Sequence, residues 1–217
     1  MRHRLAAEFL GTALLLVAVV GSGIMAERLA DGNMAIALLA NAIATGSALV
    51  VLITIFAPLS GAHFNPCVTL FAALRGQMPW HIAALYIGTQ VAAAVAGVWL
   101  AHAMFALPVL QLSTHLRDGP AQWLAEAVAT FGLLLTIIGT VRFAPTTTPM
   151  LVGLYITGAY WFTASTSFAN PAVTLARMLS NSFAGIAPAS APGFIAAQLL
   201  ATVAAWRVLP WLFAPGD

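Results

Sequence analysis

Long apolar runs, interrupted by short polar or glycine-rich stretches, extend along the chain from one end to the other. The interruptions set off six stretches, at about residues 4–26, 34–57, 81–106, 120–142, 149–167 and 191–212. Each is close to the roughly 20 apolar residues that an α-helix needs to cross a hydrocarbon core about 30 Å thick, so each predicts a transmembrane helix. Two further segments, 65–76 and 170–181, open with Asn-Pro and run for about eleven residues before a breaker, too short to span. Asparagine is a favoured helix N-cap, and proline suits the first helical position because its missing N–H would have been unpaired there. Each Asn-Pro therefore predicts the start of a short helix.

The two halves echo one another. Ala7-Glu8 followed by Thr12 recurs as Ala125-Glu126 followed by Thr130. Asn65-Pro66-Cys67-Val68-Thr69-Leu70 recurs as Asn170-Pro171-Ala172-Val173-Thr174-Leu175, and each half closes with a glutamine-bearing span, at Gln90 and Gln198. The expected organisation is one transmembrane domain over 1–217, built of half-repeats 1–106 and 120–217. Three full spans per half is an odd number, so the second copy enters the membrane from the opposite face and the repeat is inverted. Non-helical backbone at membrane depth is tolerable only where protein buries it or it lines a cavity. The short helices are thus expected to enter from opposite faces and to meet N-terminus to N-terminus near the midplane.

Composition agrees with a lipid environment: 61% of the 217 residues are hydrophobic and 6% charged, where soluble domains carry roughly a quarter charged. The stretch Leu5–Met25 follows Arg2 and Arg4 as a signal peptide would, but it is long enough to span and carries Glu8, so it is expected to be a retained first helix. All eight basic residues are arginine and form no cluster, which gives nucleic-acid binding no support. Arg2, Arg4, Arg75, Arg142 and Arg207 fall on one side of the expected topology, against Arg28 and Arg117 on the other; the positive-inside bias then places both termini in the cytoplasm. The single cysteine, Cys67, excludes an intrachain disulfide, and five dispersed histidines lack metal-ligand spacing, so neither metal nor cofactor is expected. No nucleophile, base and orienting residue recur in a recognisable arrangement, which argues against an enzyme.

Ser60-Gly61-Ala62-His63-Phe64-Asn65-Pro66 and the second Asn-Pro-Ala, at 170–172, closely resemble the two pore loops of the major intrinsic protein family, the aquaporins and glycerol channels. The resemblance covers nearly the whole chain. It implies an all-α membrane fold of six transmembrane helices and two re-entrant half-helices, a pore within each subunit, and a homotetramer in a bacterial plasma membrane. It further implies that Glu8 and Glu126 hold the pore loops through buried hydrogen bonds, in accord with the cost of an unpartnered carboxylate inside a span. His63 resembles the family's loop histidine, which contributes to the pore.

Two departures bear on the permeant. The family usually has arginine after the second Asn-Pro-Ala, where this chain has Val173; and Cys67 stands where the first motif usually has alanine. Counted from the two asparagines, the family's outer constriction maps onto Thr45, Gly158, Ser167 and Val173, none of them aromatic or charged. Such a filter is expected to be wider and electrostatically flatter than one pairing arginine with aromatics. Arg177, one turn beyond Val173, either restores a positive charge nearer the mouth or is a cation favoured at a helix C-terminus. The expected function is a passive channel for small uncharged solutes: glycerol-like polyols, neutral metalloid hydroxides such as undissociated arsenite, and water. A similar arginine-to-valine departure occurs in bacterial relatives associated with arsenic-resistance gene clusters. The alternatives are a proton-coupled secondary transporter, distinguished by accumulation against a gradient, and a narrow water-selective pore. Cys67 is either a pore-facing thiol open to mercurials or a small buried residue.

Overall fold

A computed structural model describes residues 1–214; the last three residues of the expected second half lie outside the described residues. The chain forms eight α-helices among the described residues: α1 (Arg2–Leu29), α2 (Met34–Ser60), α3 (Pro66–Leu74), α4 (Trp80–Met104), α5 (Pro120–Phe143), α6 (Thr148–Phe162), α7 (Pro171–Arg177) and α8 (Ala191–Leu212). Five of them, α1, α2, α4, α5 and α8, are long and apolar enough to cross a membrane, with mean hydropathies from 1.4 to 2.3. The sixth long helix, α6, has 15 residues, about 22 Å at 1.5 Å per residue, preceded by a 3₁₀ turn at Pro145–Thr147. It ends five residues before the predicted limit at 167. Thr163 turns to extended backbone, and Thr166 and Ser167 take positive φ angles of 61° and 52°, which no helix accommodates.

In the first half α1 packs against α2 and α4; in the second α5 packs against α6 and α8, and α2 joins the halves through α6. Apolar side chains cannot drive helix association in lipid, so close backbone approach through small residues does more of the work. Gly46 on α2 faces Gly153 on α6, where a Cβ on Gly153 would lie 2.6 Å from the Gly46 carbonyl oxygen. Gly97 on α4 rests in the same way on the Ala13 carbonyl of α1. The outward faces carry Leu10, Leu14, Ile36, Val51, Leu124 and Leu200, an apolar exterior suited to acyl chains.

The half-helices α3 and α7 touch each other and both pack on α4 and α8. Each begins with proline at its first turn, capped by the preceding asparagine in extended conformation. Gly61, at φ 89°, ends α2 in a left-handed turn, which glycine adopts without steric cost, and sends the chain inward towards α3.

Candidate pore and filter

The two asparagines lock the half-helices to each other. Asn65 Oδ1 accepts from the Cys67 N–H at 2.8 Å, and Asn170 Oδ1 from the N–H groups of Ala172 at 3.0 Å and Val173 at 3.2 Å. With the carbonyl oxygens spent on their own helices, the amide nitrogens reach across: Asn65 Nδ2 donates to the Ala169 carbonyl at 2.7 Å and Asn170 Nδ2 to the Phe64 carbonyl at 2.8 Å. Each NH₂ has two hydrogens, so one remains for a passing oxygen. Pro66, Cys67, Pro171 and Ala172, the rest of the two motifs, are buried in the first turns behind the asparagines.

The approach loops are strained. Ala62 and Phe64 precede Asn65 with φ of 49° and 50°, and Ser167 and Ala169 precede Asn170 with φ of 52° and 48°. Left-handed backbone costs a non-glycine residue about 1–2 kcal/mol, so something must hold these turns. In the first half Glu8 does so: Oε1 accepts from Ser60 Oγ at 2.7 Å and the His63 N–H at 3.0 Å, and Oε2 from the Phe64 N–H and Gln90 Nε2, both at 2.8 Å. In the second half Glu126 Oε1 accepts from the Phe168 N–H at 2.8 Å, and Oε2 from the Ala169 N–H at 2.9 Å and from Gln198 Nε2. Gln90 and Gln198 also donate to Thr69 and Thr174, each at 3.0 Å, tying the loop to its half-helix. Both carboxylates are fully buried, and hydrogen bonds to a charged acceptor contribute about 1.5–3 kcal/mol each, enough to offset the strain. His63 Nδ1 lies 3.0 Å from Thr69 Oγ1 and its ring packs beside Tyr86.

Two cavities meet at Asn65. One, of about 370 Å³, is bounded by α2, α3, α5 and α6, with Ala62, His63 and Val68 on its wall. The other is a chamber of about 60 Å³ reached by both Asn65 and Asn170. The lining of this chamber is mixed: Leu15, Val19, Leu49, Leu133, Val152 and Ile156 are apolar, and the two asparagines with Thr45, Tyr160 and Ser167 offer hydrogen-bonding groups. Phe168, Val173 and Arg177 complete the lining.

Three of the four residues predicted for the outer constriction, Thr45, Ser167 and Val173, thus share one chamber. Gly158 does not. It is partly exposed on the other side of α6, where an added Cβ would meet only the Phe162 ring, at 3.7 Å. The face of α6 turned to the chamber is Val152, Ile156 and Tyr160, one residue per helical turn. Tyr160, and not Gly158, is therefore the residue of this turn of α6 that lines the chamber, and its hydroxyl donates to Thr45 Oγ1 of the adjoining α2 at 3.2 Å. The chamber lining thus includes an aromatic residue, Tyr160, and a cation, Arg177, beside the three predicted positions.

The family model for the major intrinsic protein matches residues 1–167, more than half of the chain. The chain belongs to that family. Aquaglyceroporin AqpS of Rhizobium meliloti (strain 1021) is 57% identical over 215 residues, covering 99% of this chain and 92% of that protein. The glycerol uptake facilitator protein of Streptococcus pneumoniae is 30% identical over 179 residues, 73% of this chain and 74% of that one. The X-ray structure of the aquaglyceroporin from Plasmodium falciparum matches the fold with a TM-score of 0.75, covering 98% of this chain and 97% of that chain, at 19% identity. This major intrinsic protein is an integral membrane channel for small uncharged solutes, in a family of channels and not of enzymes.

Cys67 of the channel lines neither cavity: it is fully buried, at the side of α3 turned away from both. The pore-facing thiol is therefore not what the structure shows. Counting from Asn170 fixes a distance along the chain and not a face of α6, so it lands on Gly158 and misses Tyr160, about 200° further round the helix. The signal that locates Tyr160 is helical phase: it lies one turn beyond Ile156 and two beyond Val152.

Proposed function

We propose that the channel conducts linear polyols such as glycerol, and neutral metalloid hydroxides of similar size, together with water, with the chamber at Thr45, Tyr160, Ser167 and Val173 as its outer filter. The observation that carries this reading is the mixed lining of the chamber, aliphatic side chains together with hydrogen-bonding ones. A polyol has a hydrocarbon edge and a row of hydroxyls, and the lining offers Leu49, Val152 and Ile156 to the first and the Asn65 and Asn170 amides with Ser167 to the second. Each group lost from water is replaced by a matching one, which is how a pore conducts without binding tightly. Val173 leaves room beside Ser167 that an arginine would fill. In this reading Glu8, Glu126 and His63 fix the loops, the half-helix N-termini oppose cations, the channel assembles as a homotetramer, and both termini face the cytoplasm of a bacterial inner membrane.

A narrow water pore is the second reading, favoured by the bulk of the Tyr160 ring in the lining, held there by its hydroxyl's bond to Thr45. Val173→Arg in proteoliposomes under a glycerol gradient separates the two. The polyol reading predicts rapid glycerol reswelling in the wild type, slowed roughly tenfold by the substitution, about 1.4 kcal/mol of added barrier. Equal and negligible glycerol fluxes in both, with water flux retained, would leave the water pore.

A further inference from the structure

Arg177 is among the largest fully buried side chains of the molecule, at 2% exposure. It closes α7 one turn beyond Val173 and lines the chamber beside Ser167. Its guanidinium lies over the Phe168 ring, 3.4 Å from the centroid, and Nε donates to the Ala184 carbonyl. A carbonyl does not neutralise a positive charge, and this is its one side-chain hydrogen bond among the described residues, out of five N–H donors. A buried, charged fork with spare donors at the edge of a cavity is expensive unless something uses it. A second, independent feature points into the same space: Ser167, 3% exposed, has a buried hydroxyl with no protein partner among the described residues. The neighbouring charges do not cancel the guanidinium at the chamber. Glu126 spends its oxygens on Phe168, Ala169 and Gln198 and is outside the lining. Arg117 flanks the same Phe168 ring at 5.3 Å, is also outside the lining, and donates to the carbonyls of Gly185 and Phe183.

We propose that Arg177 is the charge-selective residue of the outer filter, supplying from one turn further along α7 the fixed positive charge that Val173 lacks, and that with the Ser167 hydroxyl it forms a binding step for the oxygen atoms of the permeant. Cations, hydronium included, are turned back there, while an uncharged hydroxyl or oxyacid group takes the free N–H donors and the serine. The carbonyls at 183–185 hold Arg117 and Arg177 as one clamp over Phe168, which fixes the guanidinium without neutralising it. Val173 widens the filter and Arg177 keeps it tight to cations.

This inference rests on the chamber being the outer filter, and two readouts separate them: glycerol reswelling tests the filter, and proton and sodium leak tests the charge. Wild type, Arg177→Gln, Arg177→Lys and Ser167→Asp are reconstituted and both fluxes measured, with a pH dye inside the vesicles. The wild type is expected to pass glycerol with a leak at the level of protein-free vesicles. Arg177→Gln is expected to raise the leak about tenfold or more as the unit charge is lost, Arg177→Lys to hold it near the wild type, and Ser167→Asp to raise it by pairing with the guanidinium. A tight Arg177→Gln channel that still passes glycerol would overturn the proposal. So would Arg177→Lys leaking as strongly as Arg177→Gln, since planarity and packing would then matter instead of charge. Should Arg177→Gln fail to reconstitute, Ser167→Asp decides alone, and an unchanged leak in it overturns the proposal. A wild type that passes no glycerol contradicts the filter reading; one that passes glycerol and leaks cations contradicts the inference only.

Discussion

Replacing Glu126 by glutamine keeps the shape of the side chain and removes half of its accepting capacity. The carboxylate takes three donors, the Phe168 and Ala169 amides at 2.8 and 2.9 Å and the Gln198 side chain. A glutamine turned so that its oxygen serves Ala169 and Gln198 points its own NH₂ at the Phe168 N–H, donor against donor. One buried backbone amide is left unpaired, at about 1–3 kcal/mol, and the two surviving bonds lose the charge that strengthened them. The loss totals roughly 3 kcal/mol, which for a chain of this size lowers the melting temperature by about 6–12 °C. The position matters beyond stability, because these amides belong to a loop whose Ser167 and Ala169 are held at φ 52° and 48°. Once the carboxylate is gone the loop relaxes, the Ala169 carbonyl that accepts from Asn65 shifts, and glycerol flux falls with the melting temperature. The assay is tryptophan-fluorescence melting of purified protein in detergent, paired with glycerol reswelling of proteoliposomes. A Glu126→Gln variant melting within about 2 °C of the wild type, with unchanged flux, would show that the carboxylate is not what holds the second loop.

Tyr160→Ala is expected to raise glycerol flux by opening the chamber, whereas Gly158→Ala leaves it unchanged, because the added methyl meets only Phe162 at 3.7 Å; matched stopped-flow traces of the two variants check the assignment. Gly11→Val is expected to abolish reconstituted flux, since even a Cβ at this position runs into the Phe64 ring and pushes on the loop carrying Asn65; flux and gel-filtration profile report it. Mercuric chloride is expected to leave glycerol and water flux at their untreated values, because Cys67 is fully buried and lines neither cavity; rapid block reversed by a thiol, and absent in Cys67→Ser, would contradict that placement.

Much of the fold is visible in the chain because bilayer thickness fixes the length of apolar runs, and the repeated Asn-Pro segments have few physical explanations other than short capped helices. The paired roles of Glu8 with Gln90 and Glu126 with Gln198 are legible as repeats, but not as hydrogen-bond sets, since which backbone amides face a carboxylate depends on loop turns that no pattern reveals. The filter is half legible. Thr45, Ser167 and Val173 stand at separations from the asparagines that bring them to one chamber, whereas Gly158 lies on a face of α6 turned away from it. Tyr160 lines the chamber because it shares a helical face with Val152 and Ile156, and α6 ends beyond it where Thr163 turns to extended backbone. Arg177 shows the reverse limit: a cation at the end of a short helix reads as an ordinary terminal charge until its burial against Phe168 is seen.

The account stands most directly on whether the chamber at Thr45, Tyr160, Ser167 and Val173 passes a polyol down its gradient. Stopped-flow light scattering of wild-type proteoliposomes in an inward glycerol gradient, with protein-free vesicles as reference, measures it. The predicted result is fast reswelling that ends when glycerol concentrations are equal on the two sides and is unaffected by collapsing a proton gradient. Shrinkage through water loss with no reswelling would contradict the polyol pore, and glycerol accumulation above the external concentration would contradict a channel altogether.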